Sequence, residues 1–412
     1  MLKKGLSLLV LLLMMFDVVQ SQVAGCTDPR ATNFNPTATI NNGSCVYPIT
    51  VTNPPFICEL PGSVKETSGL LKFNNKLWTF NDSGGSAVLY AMDTTDAHIV
   101  QQITVSNATN VDWEDITMDD QYIYIADIGN NNGTRKDLVV YRILKSSIPV
   151  NGNSTVQAAS VKFVYEDQQS FQKTKEHNFD CEAIVATQDS LYLFTKNRAD
   201  QQCNLYRLPS NPGNHIAKKI DNFNSNGLIT GADYDPVHQQ LILTGYTQQT
   251  YVPFVWMLFD FKGRDFFGGN KRRVELLNLI TTQIEGVAYS GAYSAYISAE
   301  KSQSFSARLF RLNTGEWTGL TGVSDENAQD SKKMNLIENP VRNGELKLRV
   351  DFRKEDFRLD IHDSTGKVLK QLHLKKGSEE VLSIDVNGLK PGTYFITAFT
   401  ERRSYHTSFI IN

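Results

Sequence analysis

The chain has 412 residues, more than one ordinary domain needs, and this length predicts two or three domains. Its 41 Lys and Arg residues nearly balance 44 Asp and Glu residues, which argues against a nucleic-acid-binding protein because such proteins carry a basic excess. Hydrophobic residues make up 41% of the chain, enough for packed cores, and this excludes a chain that is disordered throughout.

Residues 1–21 have the pattern of a secretory signal peptide. Lys3 and Lys4 precede an apolar run over residues 6–16, and small residues follow up to Ser21. The alternative is a transmembrane anchor, but the run is about half of the roughly 20 residues that a membrane-spanning helix needs. No later stretch is apolar for long enough to span a membrane. We therefore predict an exported mature chain with no transmembrane segment, in a compartment where disulfides form.

Residues 22–54 form a small segment that is dense in turn residues and contains two cysteines. Because so short a segment buries little apolar surface, we predict that a Cys26–Cys45 disulfide stabilises it. Its stretch GCTDPRATNFNPTATINNGSCVYP resembles a short Cys-bounded module of exported bacterial surface proteins. That module usually has two Asp residues where this chain has Asn41 and Asn42. Such turns suit calcium, but the loss of two charges favours a disulfide-bonded spacer.

Residues 55–318 contain short alternating or β-branched runs separated by Gly, Asn and Asp, which predicts strands joined by turns. The runs recur in sets whose equivalent positions are 46, 68, 49 and 54 residues apart. Sets of four antiparallel strands repeated radially make a β-propeller. The equivalent first-strand positions of the five sets are Ser68, Glu114, Glu182, Gly231 and Glu285.

The fifth set lacks a fourth strand, and residues 55–62 (PFICELPG) supply one from the other end of the block. Such a shared blade would close the ring. We therefore predict five blades; six blades remain an alternative because 68 residues separate the second and third anchors, and a pair of β-sandwiches is another. The motifs VDWEDI, IYIADIGNN, DCEAI, ITGADY and IEGVAY resemble those of a group of exported bacterial propeller proteins with no established activity.

The first strands of a propeller line its central channel, so Glu114, Glu182 and Glu285 are predicted to converge near the axis. Like charges at close range cannot all stay ionised without compensation. A bound cation would provide it, and carboxylate oxygens suit Ca²⁺. The alternative is that each glutamate accepts hydrogen bonds from a neighbouring blade and only fixes the ring. The other candidate ligand-binding residues on this face are Asp82, Asp127, Lys196, Glu300 and Arg135.

The remaining cysteines lie in the predicted propeller. Cys181 begins a first strand, and Cys203 lies in the loop between the second and third strands of the same blade. Both are expected on one face, so we predict a Cys181–Cys203 disulfide. Cys58, in the closing strand, is then left as a buried free thiol.

Residues 334–412 follow a polar linker, predicted over residues 319–333, and contain several short strands separated by turn residues. This pattern predicts a small immunoglobulin-like β-sandwich. The stretches NPV (from Asn339), GKV (from Gly366) and LKPGTY (from Leu389) also resemble the type A C-terminal sorting domain of type IX secretion system cargo in diderm bacteria. The resemblance implies export through that machinery, followed by release or attachment to surface lipopolysaccharide.

We therefore expect a secreted or outer-membrane surface protein of a diderm bacterium whose propeller binds an unidentified extracellular ligand through its polar face. The alternative is a metal-dependent extracellular hydrolase, of the phosphoesterase or lactonase kind. In that case Glu114, Glu182, Glu285 and Asp127 would bind the metal or act as general bases. Lys196 or Arg135 would then stabilise a developing anion.

Overall fold

The structure is a computed structural model that describes residues 22–279, 282–291, 293–303, 305–318, 334–350, 356–363, 368–375, 377, 381–400 and 404–411. The predicted signal peptide and the predicted linker lie outside these residues. The chain divides into two compact units, residues 1–319 and 320–412. Almost all regular structure in both units is β-strand, as the sequence predicts.

The first unit is built from short strands. In chain order these are β1 (Ala24–Gly25), β2 (Ile40–Asn41), β3 (Thr50–Thr52), β4 (Phe56–Glu59), β5 (Thr67–Phe73), β6 (Lys76–Asn81), β7 (Val88–Met92), β8 (Ile99–Val105), β9 (Trp113–Met118), β10 (Tyr122–Asp127), β11 (Val139–Leu144), β12 (Ser154–Val156), β13 (Ala159–Tyr165), β14 (Cys181–Ala186), β15 (Ser190–Thr195), β16 (Cys203–Pro209), β17 (Gly213–Phe223), β18 (Leu228–Asp235), β19 (Gln240–Tyr246), β20 (Pro253–Phe259), β21 (Asn270–Leu276), β22 (Ile284–Gly291), β23 (Ser294–Ala299) and β24 (Arg308–Asn313). The described residues also include the helical turn α1 (Gly315–Thr318) and the 3-10 turns Gly62–Val64, Lys145–Ser147 and Leu277–Leu279.

The strands of the first unit form a five-bladed propeller. Each blade is a four-stranded antiparallel sheet: β5 to β8, then β9, β10, β11 and β13, then β14 to β17, then β18 to β21, and finally β22, β23, β24 and β4. The first strands of successive blades contact one another, and β22 contacts β5, so the ring is closed. Five blades are therefore confirmed.

Burial explains why the strands differ in sequence. The two inner strands of the third blade, CEAIVA and SLYLFT, are buried at every position, because neighbouring blades cover both faces. The fourth strand of the first blade, IVQQITV, instead alternates buried and more exposed residues. The turn residues between these runs separate one strand from the next, which is why the blade pattern was readable in the sequence.

The strand that closes the ring is the predicted one. β4 pairs antiparallel with β24, and Cys58 lies opposite Leu309. The first and last strands of the propeller therefore share the fifth blade. Cys58 is a free thiol, as predicted, but it is half-buried rather than fully buried.

The predicted Cys181–Cys203 disulfide is wrong, because both residues are free cysteines. Cys181 begins β14 and Cys203 begins β16, and β15 lies between these two strands. Two strand spacings are about 10 Å, beyond the roughly 7 Å between Cα atoms that a disulfide allows. The two side chains also pack into different apolar clusters, one towards the second blade and the other towards the fourth.

The small N-terminal segment packs on the fourth blade. Its predicted Cys26–Cys45 disulfide is present. The Asn41 amide donates to Asp260 Oδ2 at 2.7 Å and to Asn270 Oδ1 at 3.0 Å. β3 then adds in parallel to the outer edge of β21, a pairing that the sequence did not predict. The segment is therefore docked on the propeller rather than acting as a free spacer.

Buried side chains join the first strands of different blades. The Asp115 carboxylate on β9 is completely buried and accepts hydrogen bonds from the backbone amides of Ile184 (2.9 Å) and Ala232 (3.2 Å). The Thr230 hydroxyl donates to the Ile284 carbonyl at 2.6 Å. These contacts tie the second, third, fourth and fifth blades together around the channel. They fix the positions from which the polar residues at either end of the channel project.

The second unit is a small β-sandwich. One sheet contains β25 (Met334–Leu336), β26 (Glu345–Val350) and β29 (Val381–Asp385), and the other contains β27 (Phe357–His362), β28 (Val368–Leu374), β30 (Gly392–Thr400) and β31 (Ser404–Ile411). Buried side chains from both sheets form one core, which includes Leu346, Leu348, Ile361, Ile396 and Phe409. The sandwich predicted for this region is therefore present.

Candidate functional site

The two ends of the propeller's central channel are defined by the five first strands. We call the end at which these strands begin the upper end and the end at which they finish the lower end. The upper-end positions are Ser68, Glu114, Glu182, Gly231 and Glu285. The predicted second-strand residues lie at the same end, because each second strand runs back antiparallel to its first strand. These are Asp82, Asp127, Lys196 and Glu300.

The three predicted glutamates are buried. Glu114 is 6% exposed, Glu182 3% and Glu285 8%. Among the described residues, no hydrogen-bond donor is paired with the carboxylates of Glu114 and Glu285, whereas Glu182 forms an ion pair with Lys196. The three carboxylates therefore have different surroundings although they occupy equivalent blade positions.

Glu182 and Lys196 form a buried ion pair. Burial alone would lower the pKa of Lys196, but Glu182, Tyr246 and Glu285 raise it well above its usual value, so Lys196 is a cation. Arg198 lies beside this pair, with a guanidinium nitrogen 3.8 Å from Glu182 Oε1. The same nitrogen is 3.3 Å from Asp180 Oδ2. On this side of the upper end, the charges of Lys196 and Arg198 therefore compensate those of Glu182 and Asp180.

Asp82, Asp112 and Glu114 form a second group at the upper end. One carboxylate oxygen from each residue lies within 4.8 Å of the others. Burial, followed by Asp82 and Asp180, raises the pKa of Asp112 to about 6. Burial, followed by Glu182 and Asp82, raises the pKa of Glu114 well above its usual value. We call these three residues the carboxylate triad. The three equivalent glutamates also lie near one another, because the charge of Glu182 raises the pKa of both Glu114 and Glu285.

Gly129 explains how the carboxylate triad is packed. A Cβ atom at this position would lie 1.9 Å from Glu114 Oε1 and 2.4 Å from Asp112 Oδ2. Any side chain here would displace both carboxylates. The glycine in the motif ADIGNN is therefore required by the close approach of two acidic side chains to its backbone.

Asp127 and Arg135 hold the loops around the carboxylate triad. The carboxylate of Asp127 accepts from the backbone amides of Val111 at 3.3 Å and Asp112 at 3.1 Å. Arg135 lies 2.8 Å from Asp127 Oδ1 and donates to the Gly129 carbonyl at 2.9 Å. These contacts position Asp112 and Gly129. Glu300 accepts instead from the Gln283 side chain.

The upper end as a whole has more carboxylates than cations. Lys196, Arg198 and Arg135 face Asp82, Asp112, Glu114, Asp127, Asp180, Glu182, Glu285 and Glu300. Burial raises the pKa of Glu114, Asp112 and Glu285, and the neighbouring carboxylates raise it further. A divalent cation would relieve the repulsion, and carboxylate oxygens suit a hard ion such as Ca²⁺.

The sequence reasoning missed Asp112 and Asp180, whereas Arg198 lies in a loop that the sequence already places on this face. Asp112 and Asp180 each stand two residues before a predicted glutamate, in the stretches Asp-Trp-Glu and Asp-Cys-Glu. Alternate residues of an extended chain share a face, so this repeated spacing was the signal that pointed to them.

Comparison with known proteins identifies the C-terminal region. Residues 339–412 match the family model of the secretion system C-terminal sorting domain. This match supports the predicted type IX route, and a chain that carries such a domain is cargo for export to the cell surface or the medium. None of the described helices has the length and apolar character needed to cross a membrane.

For the propeller, no curated protein sequence matches the chain. Among solved structures, exo-β-1,3-galactanase from Phanerochaete chrysosporium aligns with a TM-score of 0.39 and 10% identity, over 91% of this chain and 97% of its own. AztD from Citrobacter koseri aligns at 0.33 and 9% identity, over 78% and 90%. An exported protein from Bacteroides fragilis aligns at 0.33 and 12%, over 63% and 95%. These scores are too low to support an inference about this chain's activity.

Proposed function

We propose that the propeller is an extracellular binding module whose upper end holds Ca²⁺ in the carboxylate triad and binds an oxygen-rich ligand through that ion. The observation that supports this proposal most strongly is the placement of Glu114. Its side chain is 6% exposed, belongs to a group of three carboxylates within 4.8 Å, and has no hydrogen-bond donor among the described residues. A carboxyl in such a place stays protonated unless a cation compensates its charge, and a bound divalent ion would let it ionise.

Calcium fits the carboxylate triad better than a transition metal does. All three ligands are carboxylates, and no His or Cys belongs to the group, so the donors are hard oxygens. Ca²⁺ takes about six to eight oxygen ligands at roughly 2.3–2.6 Å. The triad supplies only part of this set. The remaining positions would be filled by water or by oxygen atoms of the bound ligand.

Arg198, which lies beside the Glu182–Lys196 ion pair, would provide the ligand's second contact. The Arg198 side chain is 20% exposed, whereas the Lys196 side chain is 5% exposed and forms an ion pair with Glu182. A ligand bridging the ion and the guanidinium would carry carboxylate, phosphate or sulfate oxygens, since these bind both partners. Lys196 and Glu182 would then hold the site's shape.

A hydrolase that uses the same metal is the second candidate, and one observation favours it. Without an ion, burial raises the pKa of Asp112 to about 6, so the carboxylate oxygen that does not bind the ion could accept a proton from water. A Ca²⁺ in the triad would polarise a phosphoryl or carbonyl oxygen. Turnover of a phosphoester or a lactone separates this candidate from ligand binding alone.

Calorimetry with the purified, chelator-treated protein tests the proposal. We expect one Ca²⁺ per upper-end site, an affinity at least about 100-fold weaker in Glu114→Gln, and no change in Asp96→Asn. Asp96 is a matched control because it belongs to the other acidic group of the described residues, an exposed cluster with Asp93 and His98. Equal losses in both variants, or Ca²⁺ binding that survives in Glu114→Gln, would contradict the proposal.

We also propose that the sorting domain directs type IX secretion and that the protein is then released or attached to surface lipopolysaccharide. The match over residues 339–412 supports this route. Removing these residues should leave the propeller in the periplasm, measured by fractionation and immunoblotting. A truncated chain that still reaches the medium would contradict the proposed route.

A further inference from the structure

The loop between β19 and β20 presents an aromatic ring at the mouth of the upper end. Tyr251 lies in this loop and is 48% exposed. One face of its ring stacks on Tyr246, with 5.6 Å between the ring centroids and 18° between the ring planes. Among the described residues, no other aromatic ring and no cation packs on Tyr251. The ring is therefore accessible to a ligand.

Tyr246 places this ring beside the charged groups of the upper end. It is the last residue of β19, the second strand of the fourth blade, so it lies at the same end as Lys196. Lys196 Nζ is 5.2 Å from the centroid of the Tyr246 ring. Burial lowers the pKa of Arg198, whereas Glu182 and, more weakly, Tyr246 raise it, so Tyr246 also lies close to Arg198. A ligand that binds Arg198 can therefore extend to Tyr251.

The backbone holds Tyr251 in an unfavourable conformation. Its φ angle is 52°, in the left-handed region that bulky residues rarely adopt. The Tyr251 amide donates to the Thr247 carbonyl at 2.9 Å, and the Val252 amide donates to the Thr247 hydroxyl at 2.9 Å. Backbone strain of this kind is found most often at ligand-binding sites. The loop therefore fixes the ring in its exposed position rather than burying it.

The side chains beside Tyr251 are polar and uncharged. Gln249 and Thr250 are exposed, and Gln248 is half-buried. Among the described residues, none forms a hydrogen bond with the amides of Gln248 and Gln249. Amides and hydroxyls both donate and accept, as sugar hydroxyls do, and the C–H face of a sugar ring packs on an aromatic ring. A nucleic acid fits less well, because its many phosphates would meet the acidic excess of the upper end.

We propose that the ligand of the upper end is an acidic oligosaccharide, and this inference rests on the function proposed above. The carboxylate of one sugar unit binds Ca²⁺ in the carboxylate triad and pairs with Arg198. The ring of a neighbouring unit packs on Tyr251. A uronic acid offers carboxylate and hydroxyl oxygens from one rigid ring, so a single unit can fill several of the coordination positions that the triad leaves open. Tyr251 then determines specificity without contacting the ion.

An array of uronic-acid oligosaccharides and their neutral methyl esters, probed with the purified protein, tests the inference. With CaCl₂ present we expect retention on the acidic forms, and none on the esters or after chelation. In calorimetry with a retained oligosaccharide, Tyr251→Ala should bind about tenfold more weakly, because it removes the stacking surface. Tyr251→Phe keeps the ring and should bind as the parent does. Both variants should bind Ca²⁺ alone with unchanged affinity.

Phe34→Ala is the matched control, because Phe34 is an aromatic residue of the N-terminal segment that is 41% exposed. It should leave oligosaccharide binding unchanged. Retention on the esters alone, no retention on any acidic form, or equal oligosaccharide affinities of the parent and Tyr251→Ala would overturn the inference. With normal Ca²⁺ binding, those results would leave the proposed cation site intact. Absence of Ca²⁺ binding by the parent would instead contradict the proposed function, and this inference with it.

Discussion

The same five strands run through both ends of the channel, yet the two ends differ in the balance of acidic and basic side chains. At the upper end, buried carboxylates outnumber cations, and none of the described residues donates a hydrogen bond to the carboxylate of Glu114. At the lower end, four acidic and three basic residues line the channel and nearly cancel. The ring geometry is common to both ends, so the residues at the ends of the strands determine the charge of each end.

The largest expected effect is on stability, from removing the buried cation at the upper end. Lys196→Met leaves the buried Glu182 with only the longer Arg198 contact at 3.8 Å, which should cost about 3 kcal/mol of unfolding free energy. Urea unfolding followed by tryptophan fluorescence measures this cost. Trp78, Trp113, Trp256 and Trp317 all lie in the first unit, so the signal reports the propeller alone.

Lys72→Met at the lower end is the comparison variant. Lys72 is half-buried and donates to a backbone carbonyl, so its removal should cost only about 1 kcal/mol. The double variant Lys196→Met with Glu182→Gln should regain much of the lost stability, because no unpaired charge remains. An equal loss of unfolding free energy in Lys196→Met and Lys72→Met would show that the two ends do not differ in their need for a buried cation.

The propeller was predictable because each blade repeats one pattern of strands and turns. The closing strand was predictable for the same reason, since the fifth set lacked a strand that residues 55–62 could supply. Parallel additions such as β3 on β21 and β12 on β8 were not predictable, because they join segments far apart in sequence through backbone groups alone.

The candidate site was predictable only in part. Equivalent blade positions located Glu114, Glu182 and Glu285 at one end of the channel, but the chemistry depends on which neighbour each one meets. Lys196 compensates Glu182, whereas Asp82 and Asp112 surround Glu114. The Cys181–Cys203 prediction failed similarly, because a shared face does not place two non-adjacent strands within bonding distance.

The next expected effect is on Ca²⁺ affinity, and it depends on the space beside two glycines. The upper end has no room beside Gly129, where a Cβ would lie 1.9 Å from Glu114 Oε1, whereas nothing lies within 4 Å of a Cβ at Gly291 at the lower end. Gly129→Ala should therefore displace the carboxylate triad and weaken Ca²⁺ binding about tenfold. Gly291→Ala should leave Ca²⁺ affinity unchanged. Calorimetric titration of both variants measures the difference, and equal affinities would place the ion elsewhere.

The pH dependence of stability also separates the two ends. Burial raises the pKa of Asp112 at the upper end to about 6 and that of Asp233 at the lower end to about 7. A carboxyl whose folded pKa is raised favours folding at low pH, and this contribution is lost as the pH rises through the folded value. The melting temperature of the Ca²⁺-free protein should therefore fall by a few degrees from about pH 4 to pH 7.

Calcium should change only the upper-end part of this profile. Because the ion needs ionised ligands, it should raise the melting temperature more at pH 8 than at pH 5, while the decline due to Asp233 persists. Scanning fluorimetry with and without Ca²⁺ measures both curves. A constant increase at every pH would contradict a carboxylate site whose ligands must lose protons.

Anomalous diffraction from a crystal grown with CaCl₂ tests the central claim most directly. The account predicts one strong peak at the upper end, about 2.3–2.6 Å from oxygens of Asp82, Asp112 and Glu114, which disappears in Glu114→Gln. A channel without a peak, or a peak only at the exposed cluster of Asp93, Asp96 and His98, would contradict it.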